Sequence, residues 1–168
     1  MSKKSLFPDE PVRINLGSGF DPQLGYVNVD WRQGVNADVM HDLNETPWPF
    51  EDGSAEEIRA FDVFEHLADV VAAMDECWRI LKPGGVLWIR GPAWNSPNVS
   101  DDVTHRRGFT LHSFDHFDWS TGYGAQYRYG CGEWRIVDKS DAVNELYFKL
   151  EKVTADVGNS RIEGGFGE

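Results

Sequence analysis

The spacing of apolar and polar residues predicts an α/β protein. Short runs of alternating or continuous apolar residues recur between turn residues, which is typical of β-strands. These runs predict strands at residues 12–16, 26–30, 37–40, 57–61, 86–89, 134–137 and 145–150. Their order around one long amphipathic segment predicts a Rossmann-like, mostly parallel sheet of about six to seven strands with helices on both faces.

The clearest helix is predicted over residues 67–81. Its apolar residues are three and four positions apart, so they share one face that can be buried. Lys82 favours the carboxyl end of a helix, and Pro83-Gly84-Gly85 is expected to end it. A shorter helix is expected over residues 110–117, with Thr110 as its N-cap.

Two features set this chain apart from a complete doubly wound sheet. Residues 20–25 are too few for a helix between the first two strands, because a parallel crossover needs about a dozen residues or more. We therefore expect an abbreviated fold without that helix, closed by an antiparallel pair formed by the last two strands. Residues 1–153 are expected to form a single domain, and residues 154–168 a flexible tail.

Charge and composition exclude several classes of function. The chain has a formal net charge of −12, which repels phosphate backbones and makes nucleic acid an unfavourable partner. No apolar run reaches the roughly 20 residues of a membrane span, and the lysines near Met1 are not followed by a signal-peptide core. The cysteines, Cys77 and Cys131, form neither a disulfide framework nor a zinc site. We expect a cytoplasmic protein without membrane contact, and the sequence leaves homo-oligomerisation open.

A glycine turn after the first strand and a carboxylate at the end of the second point to a nucleoside. Glycines in Gly17-Ser18-Gly19 would let the backbone approach a ligand closely, although a plain tight turn also explains them. Asp30 could accept hydrogen bonds from both hydroxyls of a ribose, or could simply be a turn residue. Because no Gly-x-Gly-x-x-Gly motif is completed, a nicotinamide-dependent oxidoreductase is disfavoured.

Six motifs in order carry a resemblance to a known family. They are residues 14–19 (INLGSG), 27–30 (VNVD), 42–43 (DL), 49–54 (PFEDGS), 64–67 (FEHL) and 79–85 (RILKPGG). The succession resembles the class I S-adenosylmethionine-dependent methyltransferases. Within them it is most similar to the short type 11-like methyltransferases that often occur in bacterial surface-polysaccharide gene neighbourhoods.

The resemblance implies S-adenosylmethionine as the cofactor and assigns residues to its site. Gly17 and Gly19 would pass under its methionine part, Asp30 would hold the ribose hydroxyls, and Asn15 would stand near the ammonium group, where relatives usually have an acidic residue. The residues implied to surround the cofactor are Asn15, Gly17, Ser18, Gly19, Asp30, Asp42, Leu43, Ala60, Phe61 and Glu65.

The remaining implied roles follow the later strands. Asp42 and Leu43 would border the adenine, and Ala60 and Phe61 would lie beside the sulfonium. The segment Glu65-His66-Leu67 would open the next helix near the methyl-transfer face.

Transfer of a methyl group to a hydroxyl needs a base, and histidines supply the candidates. His105, just beyond the fifth strand, is the first catalytic candidate and His66 the second; each could instead have a structural role. His112 and His116 have a spacing that can bind a metal, but without an identified third ligand we predict none and leave that question open. Arg106-Arg107 could clamp an anionic group or form surface ion pairs.

The predicted function is S-adenosylmethionine-dependent methyl transfer to a small-molecule or glycan-like acceptor. The alternative is a non-catalytic module with a degenerate methyltransferase fold, which either binds the cofactor or its product, S-adenosylhomocysteine, or serves as an interaction module. Asn15 and the missing helix favour this alternative, because both would weaken the cofactor site.

Overall fold

The computed structural model describes residues 11–153, so the tail predicted at 154–168 lies outside the described residues. Its strands are β1 (Val12–Leu16), β2 (Val27–Asp30), β3 (Val39–Met40), β4 (Ala55–Phe61), β5 (Leu81–Pro92), β6 (Trp134–Ala142) and β7 (Glu145–Lys152). They form one sheet in the order β3-β2-β1-β4-β5-β7-β6. The first five strands run parallel, and β7 lies antiparallel between β5 and β6. The predicted α/β fold, mostly parallel with a closing antiparallel pair, is confirmed.

The described helices are α1 (Val70–Ile80), α2 (Asn98–Asp101) and α3 (Gly122–Tyr127). The first starts later than predicted because Asp69 is its N-cap, with a carboxylate oxygen that accepts from the Ala72 N–H at 3.0 Å. It ends at Ile80, and β5 begins with the next residue, Leu81. Within residues 11–153 no helix combines the length and apolarity of a membrane span.

The prediction of a helix over residues 110–117 is wrong. This segment consists of successive tight turns, closed by hydrogen bonds between residues three apart, such as Ser113 N–H to Thr110 O at 3.1 Å and Phe117 N–H to Phe114 O at 3.0 Å. Side chains three apart align in such turns. Phe114 and Phe117 therefore both enter the core, where Phe114 contacts Phe148 with ring centroids 4.8 Å apart. The burial of these two rings therefore determines the local structure, although the spacing of apolar residues predicts a helix.

The connection between β1 and β2 is short and non-helical, as predicted. The Asn15 amide donates to the Asn28 Oδ1 at 3.0 Å, which joins the two strands side by side. The same Asn28 oxygen accepts from the Gln23 N–H at 2.7 Å, so it also holds the loop that returns to β2. Buried polar side chains thus stabilise this connection, where a crossover helix would otherwise pack.

The two faces of the sheet are covered differently. On one face, residues such as Leu87 and Ile89 of β5 are fully buried in the core. On the other, half-buried rings lie under cationic side chains of neighbouring strands. Phe61 of β4 contacts the Arg90 guanidinium of β5 at 5.0 Å, and Trp88 of β5 contacts the Lys149 ammonium of β7 at 4.7 Å.

Candidate functional site

A cleft opens where the first four parallel strands end. In the sheet, β2 and β4 lie on opposite sides of β1, so the strand order reverses at β1. Open α/β sheets bind their ligands at such a reversal. The cleft has a volume of about 840 Å³, which suits a small-molecule ligand. Its lining residues are Gly17, Asp30, Trp31, Arg32, His41, Asp42, Leu43, Asn44, Asp62, Val63, His66, Leu67, Asp102, Val103, Thr104, His105 and Arg106.

The glycine turn forms part of the cleft floor. Gly17 has φ +60°, and a Cβ atom on it would lie 2.6 Å from the Val63 Cγ2. Both the backbone conformation and the close approach of Val63 therefore require glycine. Gly19 also has a positive φ, and its N–H donates to the Asp30 Oδ2 at 2.8 Å. The turn after β1 is thus tied directly to the carboxylate that ends β2.

Asp30 is a buried carboxylate held by hydrogen bonds at the cleft wall. Its Oδ1 accepts from the Arg32 N–H at 2.8 Å, and the Arg32 guanidinium lies 3.4 Å from the same oxygen. Burial alone would raise the pKa of Asp30, but the N–H donors of Arg32 and Gly19 and the Arg32 charge lower it below its usual value. Asp30 is therefore ionised, and its Oδ2, which accepts only the Gly19 N–H, retains a lone pair for a ligand hydroxyl.

Asp42 and Leu43 lie at the cleft beyond β3, as the resemblance implied. Asp42 Oδ1 accepts from the Asn44 N–H at 2.9 Å, which fixes this turn. Trp31, next to Asp30, is 66% exposed and also lines the cleft. An exposed aromatic ring at a cleft wall can stack on a planar group of a ligand.

Other residues expected around the cofactor lie outside the cleft lining. The Asn15 amide contacts Asn28 and the Asp21 carbonyl, so its hydrogen bonds stabilise the loop. Ser18 and Ala60 are buried, and Phe61 packs on the other face of the sheet against Arg59. The residues that line the end of β4 are the next two in sequence, Asp62 and Val63.

Asp62 is a functional candidate that the sequence reasoning missed. It has φ +57°, an uncommon conformation for a residue other than glycine, and its carboxylate pairs with the Arg90 guanidinium. Non-glycine residues in this region of backbone space concentrate at functional sites, because the surrounding contacts must maintain them. The positive φ has no sequence signal of its own, beyond the position of Asp62 directly after a buried strand.

The predicted catalytic histidines form the opposite wall of the cleft. His66 and His105 contact each other edge to face, with ring centroids 4.6 Å apart. The His66 Nδ1 lies 2.9 Å from the Thr104 hydroxyl, which donates to the Asp102 Oδ1 at 2.7 Å. The His105 Nδ1 lies 2.9 Å from the Asn98 carbonyl oxygen. Burial and the His105 ring lower the pKa of His66, so its ring is neutral at neutral pH.

Glu65 lies behind these rings and is almost completely buried. Its Oε1 is 4.0 Å from the His105 Nε2, and its Oε2 has no hydrogen-bond partner among residues 11–153. Burial raises the pKa of Glu65 to about 7, and the nearby Asp62 carboxylate acts in the same direction. Glu65 therefore lies against the histidine wall of the cleft.

The arginines after Thr104 stabilise the turn that carries His66. The Arg106 Nε donates to the His66 carbonyl at 3.1 Å, and Arg107 donates to the Leu67 carbonyl at 2.8 Å. Both arginines thus donate to backbone carbonyls, whereas the sequence suggests an anion clamp or surface ion pairs. His112 and His116 have different partners: His112 pairs with Asp115 at 2.8 Å, and the His116 ring stacks on Tyr129.

Comparison of the sequence with known proteins identifies one family and two relatives. Residues 18–89 match the model of a family described as a methyltransferase domain. A "Probable S-adenosylmethionine-dependent methyltransferase" of Mycolicibacterium smegmatis is 39% identical over 67 residues, or 40% of this chain and 23% of that protein. An uncharacterized 37.1 kDa protein in transposon TN4556 of Streptomyces fradiae is 38% identical over 68 residues, or 40% of this chain and 20% of that protein. The chain thus spans less than a quarter of either relative's length.

Solved structures with the same fold include several methyltransferases. One from Archaeoglobus fulgidus has a TM-score of 0.60 at 12% identity and covers 86% of this chain and 87% of its own. One from Thermotoga maritima has a TM-score of 0.59 at 15% identity, covering 88% and 84%. The cyclase SpnF has a TM-score of 0.58 at 16% identity, covering 86% and 76%. These comparisons confirm the predicted resemblance and the fold class.

Proposed function

Because this chain has the class I methyltransferase fold and its residues 18–89 match the methyltransferase domain family, we propose that it transfers the methyl group of S-adenosylmethionine to a small-molecule or glycan-like acceptor. One observation carries the proposal. The cofactor candidates Gly17, Asp30 and Asp42 and the histidines His66 and His105 line opposite walls of the same cleft. A carboxylate suited to ribose hydroxyls and a candidate base thus line one cavity.

The residues on the strand side fit this cofactor. Gly17 leaves room that a Cβ atom would fill, and Asp30 offers an ionised carboxylate to ribose hydroxyls. The cleft is also acidic: its charged lining residues are Asp30, Asp42, Asp62 and Asp102 against Arg32 and Arg106. An acidic cleft attracts a cationic sulfonium compound and repels a phosphorylated acceptor. This charge favours a neutral, hydroxyl-bearing acceptor.

The histidine wall would position the acceptor and remove its proton. S-adenosylmethionine supplies an electrophilic methyl group bonded to a positively charged sulfur. The Asn98 carbonyl can only accept a hydrogen bond, so the His105 Nδ1 carries the hydrogen and its Nε2 has a lone pair. That lone pair would take the hydroxyl proton as the acceptor oxygen bonds to the methyl carbon and the carbon–sulfur bond breaks, which would leave S-adenosylhomocysteine as the neutral product. His66 would help orient the acceptor beside it.

The first test is calorimetric titration of S-adenosylhomocysteine into the wild-type protein and into Asp30→Asn. Loss of the carboxylate charge should weaken the binding of S-adenosylhomocysteine about tenfold or more, because hydrogen bonds to a charged group contribute roughly 1.5–3 kcal/mol. The matched control is Asp138→Asn, an exposed carboxylate on the edge strand β6, which should bind like wild type. Absence of binding to the wild-type protein would refute the proposal.

The non-catalytic alternative is supported by two observations. Arg32 already pairs with Asp30, and the β1–β2 connection lacks its helix. The fold by itself does not decide between the two functions, since one structural neighbour is named a cyclase. Turnover with a panel of hydroxyl acceptors separates them. Methylation that falls in His105→Gln while S-adenosylhomocysteine binding persists supports the enzyme, and tight binding without turnover supports the module.

A further inference from the structure

Three side chains at the histidine wall have the composition of a metal site. One ligand atom from each of Glu65, His66 and His105 lies within 4.8 Å of the other two. Two imidazoles and one carboxylate are ligands that first-row divalent metal ions prefer. We propose that Glu65, His66 and His105 bind a single divalent transition-metal ion, such as Zn²⁺.

The hydrogen bonds of His105 leave the correct nitrogen for a metal. Its Nδ1 must donate to the Asn98 carbonyl oxygen 2.9 Å away, because a carbonyl cannot donate. In the neutral ring, Nε2 then has the lone pair, and this is the atom that faces the Glu65 Oε1 at 4.0 Å. A metal-binding histidine typically donates its other N–H to a carbonyl or a carboxylate in this way.

His66 is oriented by a relay that ends on a carboxylate. The Thr104 hydroxyl has one hydrogen, and it donates this hydrogen to the Asp102 Oδ1 at 2.7 Å. The Thr104 oxygen must therefore accept from the His66 Nδ1 at 2.9 Å, which leaves the lone pair on the His66 Nε2. Thus neither ring needs to change its tautomer to bind an ion.

Glu65 supplies a buried carboxylate that forms no ion pair with a lysine or arginine among residues 11–153. The residue is only 1% exposed, and its Oε2 has no hydrogen-bond partner within residues 11–153. Buried carboxylates are normally paired or bound to metals, since an isolated charge is costly to bury. Two cationic side chains of this region contact other groups: Arg90 pairs with Asp62, and Arg106 donates to the His66 carbonyl.

The cluster must contract slightly to bind an ion. Two ligand atoms with bonds of about 2.1 Å to one ion can be at most about 4.2 Å apart. In the tetrahedral geometry of Zn²⁺ the two atoms are about 3.4 Å apart, so the observed span of up to 4.8 Å has to close by roughly 1.4 Å, through rotations of the side chains.

Such a site would retain open positions, because three protein ligands do not complete the coordination of Zn²⁺. His66 and His105 also line the large cleft, so a water molecule or an acceptor oxygen could bind there. Binding of the acceptor by the ion rests on the proposed methyl transfer, whereas binding of the ion itself does not. The ion and a transferred proton would use the same His105 lone pair, so His105 could not act as the base while the ion is bound.

The test is a titration of Co²⁺ into tag-free protein without S-adenosylmethionine, followed by visible absorption and then by displacement with Zn²⁺. We expect one saturable ion per chain. Glu65→Gln and His105→Gln should each weaken binding by more than about tenfold. The matched control is His112→Gln, which removes a histidine from the other candidate pair and should bind like wild type.

A second pair of variants tests the relay without removing a ligand. Thr104 is exposed, so its substitution should leave the fold intact, which thermal melting checks. Thr104→Val should weaken Co²⁺ binding roughly 10- to 100-fold, and Thr104→Ser, which retains the hydroxyl, should bind nearly as wild type. No saturable binding to wild type, or equal losses in His112→Gln and His105→Gln, would overturn the site. S-adenosylhomocysteine titrations of the same samples report separately on the proposed function.

Discussion

At the scale of single residues, Gly17 offers the most direct test of the cleft floor. Gly17→Ala should destabilise the protein by the cost of a left-handed conformation, about 1–2 kcal/mol, plus the cost of the contact with Val63. Gly34→Ala is the matched control, because Gly34 has φ +84° and a Cβ added to it would meet no neighbouring group within 4 Å. Urea unfolding should show the larger loss for Gly17→Ala.

The contribution of Val63 can be isolated by a double-mutant cycle. Val63→Ala should recover part of the loss in the Gly17→Ala background, because the Cγ2 atom 2.6 Å from the new Cβ is removed. Equal destabilisation by Gly17→Ala and Gly34→Ala, without coupling to Val63, would contradict close contact at the floor.

The candidate site was predictable where a residue follows directly from a strand end. Gly17, Asp30, Asp42 and Leu43 line the cleft because the carboxyl ends of parallel strands share one edge of the sheet. Asn15 was not predictable, since its role depends on a hydrogen bond to Asn28 on the neighbouring strand.

At the scale of elements, the helix α1 is joined to the loop before β4 by a buried carboxylate. The Glu76 Oε2 accepts from the Trp48 N–H at 2.6 Å and from the Arg79 guanidinium at 2.7 Å. Burial alone would raise the pKa of Glu76, but the hydrogen bonds from Arg79 and Trp48 lower it below its usual value. The carboxylate form is therefore favoured by folding.

The lowered pKa of Glu76 predicts that Glu76→Gln loses stability in a pH-dependent way. A lowered folded-state pKa contributes stability above the unfolded pKa of about 4.3, and the contribution is lost as the pH falls through the folded value. Glu76→Gln should lower the free energy of unfolding by about 1–3 kcal/mol at pH 7, and by less as the pH falls below about 4. Asp52→Asn, which removes the exposed partner of Arg79, is the control with a small effect. A loss independent of pH would contradict the assignment.

Elements were predictable where apolar spacing and tertiary burial agree. The spacing over residues 67–81 corresponds to α1 because one face of that helix packs in the core. The spacing over residues 110–117 does not decide its structure, since two aromatic anchors in the core select tight turns. Long-range contacts of this kind leave no periodic signal in the local sequence.

At the scale of the whole molecule, a mostly parallel sheet with a closing antiparallel pair could be predicted from the sequence, whereas the cover of the second sheet face could not. That cover consists of cation–π pairs between neighbouring strands, such as Trp88 with Lys149 and Phe61 with Arg90. These pairs depend on strand register, which places Lys149 opposite Trp88 and Arg90 opposite Phe61. Register is set by the assembled sheet and not by any one segment.

The negative net charge of the molecule predicts how the salt concentration affects its affinity for ligands. S-adenosylmethionine carries one more positive charge than S-adenosylhomocysteine, so the net charge of −12 and the acidic cleft should favour the former electrostatically. Raising the salt concentration from about 0.05 to about 0.5 M shortens the Debye length roughly threefold, so affinity for S-adenosylmethionine should fall by roughly a few-fold. Affinity for S-adenosylhomocysteine, which lacks the sulfonium charge, should change less.

Remote and local charges can then be distinguished. Asp138→Asn changes the net charge far from the cleft, and at about 0.15 M salt it should leave the ratio of the two affinities unchanged, because the Debye length is only about 8 Å. Asp42→Asn removes a charge that lines the cleft and should lower the preference for S-adenosylmethionine. Equal salt dependence of both ligands in calorimetric titrations would mean that the cleft does not sense the sulfonium charge. Its four aspartates would then have structural roles, such as the pairing of Asp62 with Arg90.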